Sequence, residues 1–458
     1  MADMIALILA AGKGTRMKSG LVKVMHALGE KPMIAWPVRA ARASGAVRTV
    51  LVVGHQAERV RDYFAGETGI DFVIQEEQLG TGHAVGCASP ILSGFEGEVL
   101  ILCGDVPLIR PETLRELLTR HRSAGATLTV VTARVANPHG YGRVVKGEEG
   151  NVLRIVEEKD ASLEEKGISE INTGIYCVES GFLFEAVAAL RNNNAQGEFY
   201  LTDIVRQGSD QGRRCLSYTV ADTEEIMGIN DRVQLAAAAK VLRKRTNEGL
   251  MLSGVTIVDP DNTYIEEGVE IGADTVIYPN VHIFGETVIG SRCLIEPSAV
   301  IRGCKIGDGV TIKAGSVMAD SLIDDGAAIG PMAHLRPGNE LGKNVKIGNF
   351  VETKKVRMGE GSKASHLTYL GDSTIGSRVN IGCGTITCNY DGVSKHRTVI
   401  EDDVFVGSDV QFVAPVNIGR NSLIAAGTTV TRDVPPDSLA IARAPQVNKE
   451  GWKLKKKD

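Results

Sequence analysis

Large rings are scarce in this chain of 458 residues: two Trp, ten Phe and nine Tyr make up 5% of it. A core short of aromatics has to be filled by Ile, Val and Ala. Eight cysteines are present, at Cys87, Cys103, Cys177, Cys215, Cys293, Cys304, Cys383 and Cys388, but no Cys-x-x-Cys pair. So long a chain is not a disulfide scaffold. There is no run of about eighteen or more apolar residues, which excludes membrane insertion by a helix. The apolar stretch 4–11 is too short for a secretory signal and lacks a basic leader, so a cytoplasmic protein is expected. Charge of neither sign dominates. A net charge of −5 argues against a general nucleic-acid binder. The basic tail Lys453, Lys455, Lys456 and Lys457 is short and reads as a solvated terminus. With 43% hydrophobic and 23% charged residues the composition is that of a soluble globular protein, and the length favours two domains.

What is present in excess is a rhythm. Aliphatic residues fall on every sixth position at Ile265, Ile271, Ile277, Ile283, Ile289, Ile295 and Ile301. After single five-residue steps the beat resumes at Ile306 and Ile312, and again at Ile323, Ile329, Leu335, Leu341 and Ile347. It returns at Ile375 and Ile381, then at Ile400, Val406, Phe412, Ile418, Ile424 and Val430. A helix repeats at about 3.6 and an exposed strand at 2. A period of six fits a parallel β-helix whose coils bury one side chain per turn of a prism and share a core. The beat is lost at 354–373 and at 387–397, and loops leaving a regular solenoid are where function is expected.

Ahead of the repeats the texture changes. Residues 5–9, 49–53, 72–74, 99–102 and 127–132 read as strands, with helices at 32–44, 55–65, 81–92 and 111–124. Such alternation implies a parallel sheet covered by helices on both faces, with chemistry at the C-terminal ends of its strands. The Ala-rich segment 231–250 reads as a helical connector. The division expected is an α/β Rossmann-like domain at 1–229, a helical linker at 230–250 and an all-β helix at 251–458.

The first strand runs through Leu9 into Ala10-Ala11-Gly12-Lys13-Gly14-Thr15-Arg16-Met17, with Lys23 beyond. Small residues let backbone N–H groups turn toward an anion, and Arg16 and Lys23 supply charge for a triphosphate. A Walker A loop would end in Gly-Lys-Ser/Thr, and a dinucleotide fingerprint would have Gly or Ala where Met17 stands. The string resembles the sugar-nucleotidyltransferase family, which couples a nucleoside triphosphate to a sugar 1-phosphate and releases pyrophosphate. That resemblance assigns Leu9, Ala10, Ala11 and Gly12 to the nucleotide. It places the base at Gln75, Gly80 and Thr81, and implies Cys103, Gly104 and Asp105 at the end of a strand. Gly142, Glu157 and Asn172 then contact the sugar, and Asp105 and Asn230 hold Mg²⁺. Asn230 could instead cap the connector helix. The reaction expected is in-line attack of a sugar-phosphate oxygen on the α-phosphorus, driven by positioning and electrostatics.

In the repeat region, His366 is the best candidate base: a histidine imidazole ordinarily titrates near neutrality and can take a proton from an amine. Its string Ser365-His366-Leu367-Thr368-Tyr369-Leu370-Gly371-Asp372, with Thr387-Cys388-Asn389-Tyr390-Asp391-Gly392, resembles the bacterial family of bifunctional N-acetylglucosamine-1-phosphate uridyltransferase/glucosamine-1-phosphate N-acetyltransferases. The likeness runs through to Arg443 and Lys449-Glu450-Gly451-Trp452. It implies a left-handed β-helix of hexapeptide repeats, a homotrimer, and UTP, acetyl-CoA, glucosamine 1-phosphate and N-acetylglucosamine 1-phosphate as substrates. Arg336, Lys354, Tyr369 and Asn380 would bind the sugar phosphate, with His366 as base. Cys383, Asn389, Tyr390, Ser408, Ala426 and Arg443 would meet acetyl-CoA. Cys383 stands where the family usually has a small Ala, and Cys103 where it has Tyr; direct transfer needs no acyl-enzyme, so Cys383 reads as a space-filler. Two rivals remain in view. One is a monofunctional nucleotidyltransferase with a structural β-helix, and the other is a non-enzymatic assembly subunit.

Overall fold

The computed structural model describes residues 3–452, so the four lysines of the basic tail lie outside the described residues. The chain divides into two compact units, Met1–Val241 and Leu242–Asp458. The helix Arg232–Leu252 runs through that boundary.

The main path of the first unit's sheet runs, in spatial order, Cys215–Thr219, Leu128–Arg134, Glu170–Glu179, Glu98–Cys103, Met4–Ala10, Arg48–Val53, Ile70–Ile74. Alternation along each strand builds two cores. Ala6, Ile8 and Leu51 pack with Ala35, Val38 and Leu114 on one face, while Leu7, Val50 and Ile101 pack with Val85, Leu183 and Ile204 on the other. Four of the expected helices are present as Ala35–Ala43, Ala57–Tyr63, Thr81–Cys87 and Pro111–Ser123.

The sheet is not wholly parallel. Glu170–Glu179 is antiparallel to both its neighbours, with Glu170 opposite Arg134. The chain leaves Leu128–Arg134 at its C-terminal end. There it makes the hairpin Arg143–Lys146/Val152–Val156 and re-enters from the same end, without the helical crossover that a parallel return requires.

The second unit is a left-handed parallel β-helix. One face rises from Thr256–Ile257 through Val276–Ile277 and Leu294–Ile295. The next starts from Tyr264–Ile265 and His282–Phe284, and the third from Glu270–Ile271 and Val288–Ile289. Ile277 lies opposite Ile295, and Ile295 opposite Ile312, so these two coils take 18 and 17 residues. The inward aliphatics are fully buried and form one continuous core. The corner glycines are required by close approach of the next coil rather than by left-handed backbone. A Cβ on Gly290 would lie 2.7 Å from the Gly307 carbonyl carbon, and one on Gly382 only 2.4 Å from that of Gly407.

The structure corrects one boundary of the rhythm. Residues 354–373 are not an insertion: Thr353, Met358, Ala364 and Leu370 continue the inward series with exposures of 0–3%. Two long strands, Lys346–Lys354 and Lys363–Gly371, carry the pairing round a corner. Thr, Met and Ala fill the prism there in place of Ile, which hid the beat. Between residues 347 and 400 only the segment from Ile386–Cys388 to Thr398–Ile400 leaves the coil.

Because neighbouring coils share one interior, Ile295→Ala is expected to destabilise this unit by about 2–5 kcal/mol. Chemical denaturation followed by circular dichroism measures it, and a loss below about 1 kcal/mol would mean that the coils collapse onto the cavity.

Candidate functional site

In the first unit a cavity of about 300 Å³ opens at the C-terminal ends of the central strands. Leu9, Ala10, Ala11 and Gly12 form one wall, Gln75, Gly80 and Thr81 another, and Lys23, Cys103 and Asp105 its floor. Gly14 has φ +63, and a Cβ there would lie 2.4 Å from Lys23 Cβ, so only glycine lets the loop fold over Lys23. Arg16, exposed in the 3-10 turn Thr15–Met17, does not line the cavity. Gln75 is 4% exposed and donates to Gly80 O at 3.1 Å, which stiffens the opposite wall.

Lys23 Nζ donates to Asp105 Oδ2 at 2.5 Å and to Asn230 Oδ1 at 3.1 Å. Asn230 does not cap the helix that follows. Asp231 does so, accepting from Gln234 N at 2.8 Å, while Gln234 accepts from Asn230 N at 2.7 Å. The Asn230 side chain is therefore left for the site. Cys103 packs against Gly174, where a Cβ would lie 2.9 Å from its sulfur, and burial pushes the thiol up to about 12. It is inert at neutral pH. Gly104 places its missing Cβ 3.1 Å from that of Ala10, which keeps the two loops in contact.

Gly142, Glu157 and Asn172 converge beside this cavity. Asn172 N donates to Gly142 O at 2.9 Å, and a Cβ on Gly142 would lie 3.5 Å from both Asn172 Cβ and Glu157 Oε1. Burial raises the Glu157 carboxyl above its usual range against the opposing hydrogen bond from Thr202. Sequence reasoning missed Gln78, Glu198 and Tyr176. Gln78 donates to Ala11 O at 2.8 Å, Glu198 lines the cavity, and Tyr176 donates to Asn172 Oδ1 at 3.0 Å. Proximity to Gln75 could have revealed Gln78; nothing local marked Glu198.

Among the described residues no group of three or more His, Cys, Asp or Glu forms a metal set. Asp105 and Asn230 do offer two hard oxygens on one point. This suits an ion that completes its shell with water and phosphate.

In the β-helix, the corner joining the first two faces carries a column. Asn349 lies opposite His366, and the flanking pairs Lys363–Asn380 and Tyr369–Ile386 set Cys383 one coil above His366. Ser408 and Ala426 follow at one coil each. The Arg443 guanidinium donates to Ala426 O. His366 is exposed, and its Nδ1 is 3.0 Å from Asn349 Oδ1. Asn349 was missed; its distance of one coil from His366 was the available signal.

The next corner is cationic. Arg336 pairs with Glu352 at 3.0 Å, and Lys395 and Arg336 beside Lys354 hold its ammonium below its usual range. Lys395, also missed, stands on the one true insertion. Tyr369 projects from the face between these corners, half-buried. Two of the expected groupings are split. Asn380 lies on the first face, across the His366 corner from Tyr369, because one strand pair separates each corner from the next. Asn389 and Tyr390 belong to the cationic corner rather than to the Cys383–Ser408–Ala426 column. Asn389 is buried and donates to Asp372 Oδ2 at 2.6 Å, while Tyr390 is exposed.

Residues 5–224 match the nucleotidyl transferase family, and 286–320 and 397–432 match the bacterial transferase hexapeptide (six repeats) family. The chain is 68% identical over 457 residues to the bifunctional protein GlmU of Geotalea uraniireducens, covering 100% of both chains. It is 65% identical over 475 residues to that of Geobacter sulfurreducens, again over 100% of both. To that of Exiguobacterium sibiricum it is 50% identical over 448 residues, covering 98% of this chain and 99% of the other.

Proposed function

This chain belongs to the GlmU family of bifunctional proteins, and from that premise we propose how its residues divide the two reactions. The protein is both an N-acetyltransferase and a uridyltransferase. It acetylates glucosamine 1-phosphate with acetyl-CoA, then transfers uridylyl from UTP to N-acetylglucosamine 1-phosphate with release of pyrophosphate. The product serves cell-wall synthesis. The monofunctional and non-enzymatic readings are set aside.

The observation that carries the first assignment is the single cavity on which Leu9–Gly12, Gln75, Thr81, Lys23 and Asp105 converge. UTP lies there with its base against Gln75, Gly80 and Thr81 and its phosphates along the Ala10–Gly12 backbone. Gly142, Glu157 and Asn172 hold the sugar, and its phosphate oxygen attacks the α-phosphorus in line with the departing pyrophosphate. A phosphate is already an adequate nucleophile, so no side chain takes a proton. Lys23, with Arg16 drawn in from its exposed turn, balances charge on the leaving group. The family's nucleotidyl transfer uses a divalent metal; here Mg²⁺ would be held by Asp105 and Asn230, supplying Lewis-acid neutralisation of phosphate charge.

For the second reaction the His366–Asn349 pair carries the assignment. Arg336, Lys354 and Lys395 take the phosphate of glucosamine 1-phosphate, Tyr369 borders the sugar, and acetyl-CoA runs along Cys383, Ser408, Ala426 and Arg443. Asn389 and Tyr390 border the sugar-phosphate end. On one copy the His366 and Lys354 positions are five residues apart along the strand, roughly 12–16 Å, farther than the amine and phosphate of glucosamine 1-phosphate can span. The cationic corner of one copy therefore works with the His366 column of a neighbouring copy, Asn380 lying on the neighbour's side, as a homotrimer sharing its acetyl sites would have it.

Cutting the chain tests the division. A fragment ending at Val241 is expected to keep metal-dependent uridyltransferase activity. One beginning at Leu242 is expected to trimerise and acetylate. The second fragment must keep Asn247, whose Nδ2 donates to Pro260 O at 2.8 Å and Thr263 O at 3.0 Å at the base of the coil. A folded, monomeric second fragment with full acetyltransferase activity would overturn the shared-site reading.

A further inference from the structure

Between Ile386–Cys388 and Thr398–Ile400 the chain makes an excursion from the coil, closed by an antiparallel bridge between Tyr390 and Lys395. Its base is tied to the coil below. Asn389 Nδ2 donates to Asp372 Oδ2 at 2.6 Å, and Asp372 N donates to Lys354 O at 2.9 Å. Its tip is tied by one carboxylate. Asp391 accepts from Ser394 N at 2.7 Å and from Val393 N at 2.8 Å, and it meets His396 Nε2 at 2.6 Å. The Ser394 N–H, His396 and the Val393 N–H together hold the Asp391 carboxyl far below its ordinary range. Lys395 adjoins His396, whose backbone N donates to Asn389 O at 2.8 Å.

We propose that the Asp391–His396 contact is a latch that holds Lys395 beside Lys354, making both residues positioning groups for the phosphate of glucosamine 1-phosphate. The proposal rests on the assignment of Arg336 and Lys354 to that phosphate. Three cations brought together repel, and a loop free to move would carry Lys395 away from them. The nearby carboxylates cancel this repulsion only in part: Glu352 is paired with Arg336, and Asp372 favours the Lys354 ammonium but is outweighed by Lys395 and Arg336. A phosphate dianion gains from the assembled trio only if the ordering of the loop precedes binding, which lowers the entropy lost when substrate arrives. Asp391 and His396 do not reach the reacting amine, so they act on affinity and not on the chemical step. The bland reading is an exposed ion pair of no consequence, which is common for side chains about half in water.

Steady-state kinetics of the full-length enzyme, varying glucosamine 1-phosphate at saturating acetyl-CoA, separates these readings. Asp391→Ala and His396→Ala are each expected to raise KM about tenfold, the scale of one charge-assisted contact, with kcat within about twofold. The double variant is expected to be no worse than the poorer single one, because both break the same latch. His396→Gln, whose amide can still donate to Asp391, is expected to stay within about threefold of the unaltered enzyme. Lys354→Ala is measured alongside. An unchanged KM there removes the phosphate assignment and the latch with it. A raised KM in Lys354→Ala with unchanged KM in Asp391→Ala and His396→Ala leaves the site standing and overturns the latch. A fall in kcat at constant KM in those two variants overturns it as well.

Discussion

His366→Ala is expected to lower the acetyltransferase kcat by at least about a hundredfold while leaving uridyltransferase activity unchanged. The amine of glucosamine 1-phosphate attacks the thioester carbonyl only when unprotonated. It must lose a proton as the tetrahedral intermediate collapses and the coenzyme thiolate departs. A neutral imidazole at the amine takes that proton, and such bases contribute about 10²–10⁴-fold. Asn349 decides which nitrogen is available. Its Oδ1, 3.0 Å from His366 Nδ1, can only accept, so Nδ1 carries the hydrogen and Nε2 keeps a lone pair free to take a proton. The Michaelis constants should change little, since the phosphate is proposed to be anchored by Arg336, Lys354 and Lys395 and not by His366. Asn349→Ala is expected to act in the same direction but more weakly, because the base survives with its ring unrestrained. A His366→Ala enzyme acetylating within a fewfold of the unaltered protein would exclude this residue as the base.

Legibility in the sequence followed how local each constraint is. The coil positions from Ile265 to Ile347 were readable because each must fill the same narrow prism, so one residue type recurs. Where Thr353, Met358 and Ala364 fill that prism instead, the signal vanished although the coil did not. The phosphate loop was readable because backbone close to an anion demands small residues in one short string. Gln75, Gly80 and Asp105 came with it by resemblance, and the fold gathers them at one cavity. Partnerships across coils left only the spacing of one coil as a trace. Asn349 and His366 meet only because one strand stacks on the next, and Asn380 parts from Tyr369 only because the chain turns a corner between them. The antiparallel entry of Glu170–Glu179 also escaped, since its cause is a hairpin excursion and not anything within the strand itself.

Asp105→Asn should cut uridylyl transfer by about two to three orders of magnitude, the scale of losing one preorganised electrostatic contact at a transition state. The substitution is nearly isosteric, and Asp105 is only partly buried, with its side chain 26% exposed, so folding should survive. What changes is charge. The carboxylate meets Lys23 at 2.5 Å, and with Asn230 it forms the pair of oxygens proposed to hold the divalent metal. An amide keeps one oxygen donor but loses the negative charge that attracts a hard cation, so the variant should need more metal for half-maximal activity. It also releases Lys23 from its ion pair, leaving an ammonium with only neutral amide oxygens, Asn230 Oδ1 among them, to accept from it. With UTP held, as proposed, mainly by Gln75, Gly80 and the Ala10–Gly12 backbone, the loss should fall on kcat more than on its Michaelis constant. Acetyl transfer, in the other unit, should remain near normal. Equal loss of both activities would point to misfolding, and an unaltered metal requirement with full uridylyl transfer would remove Asp105 from the site.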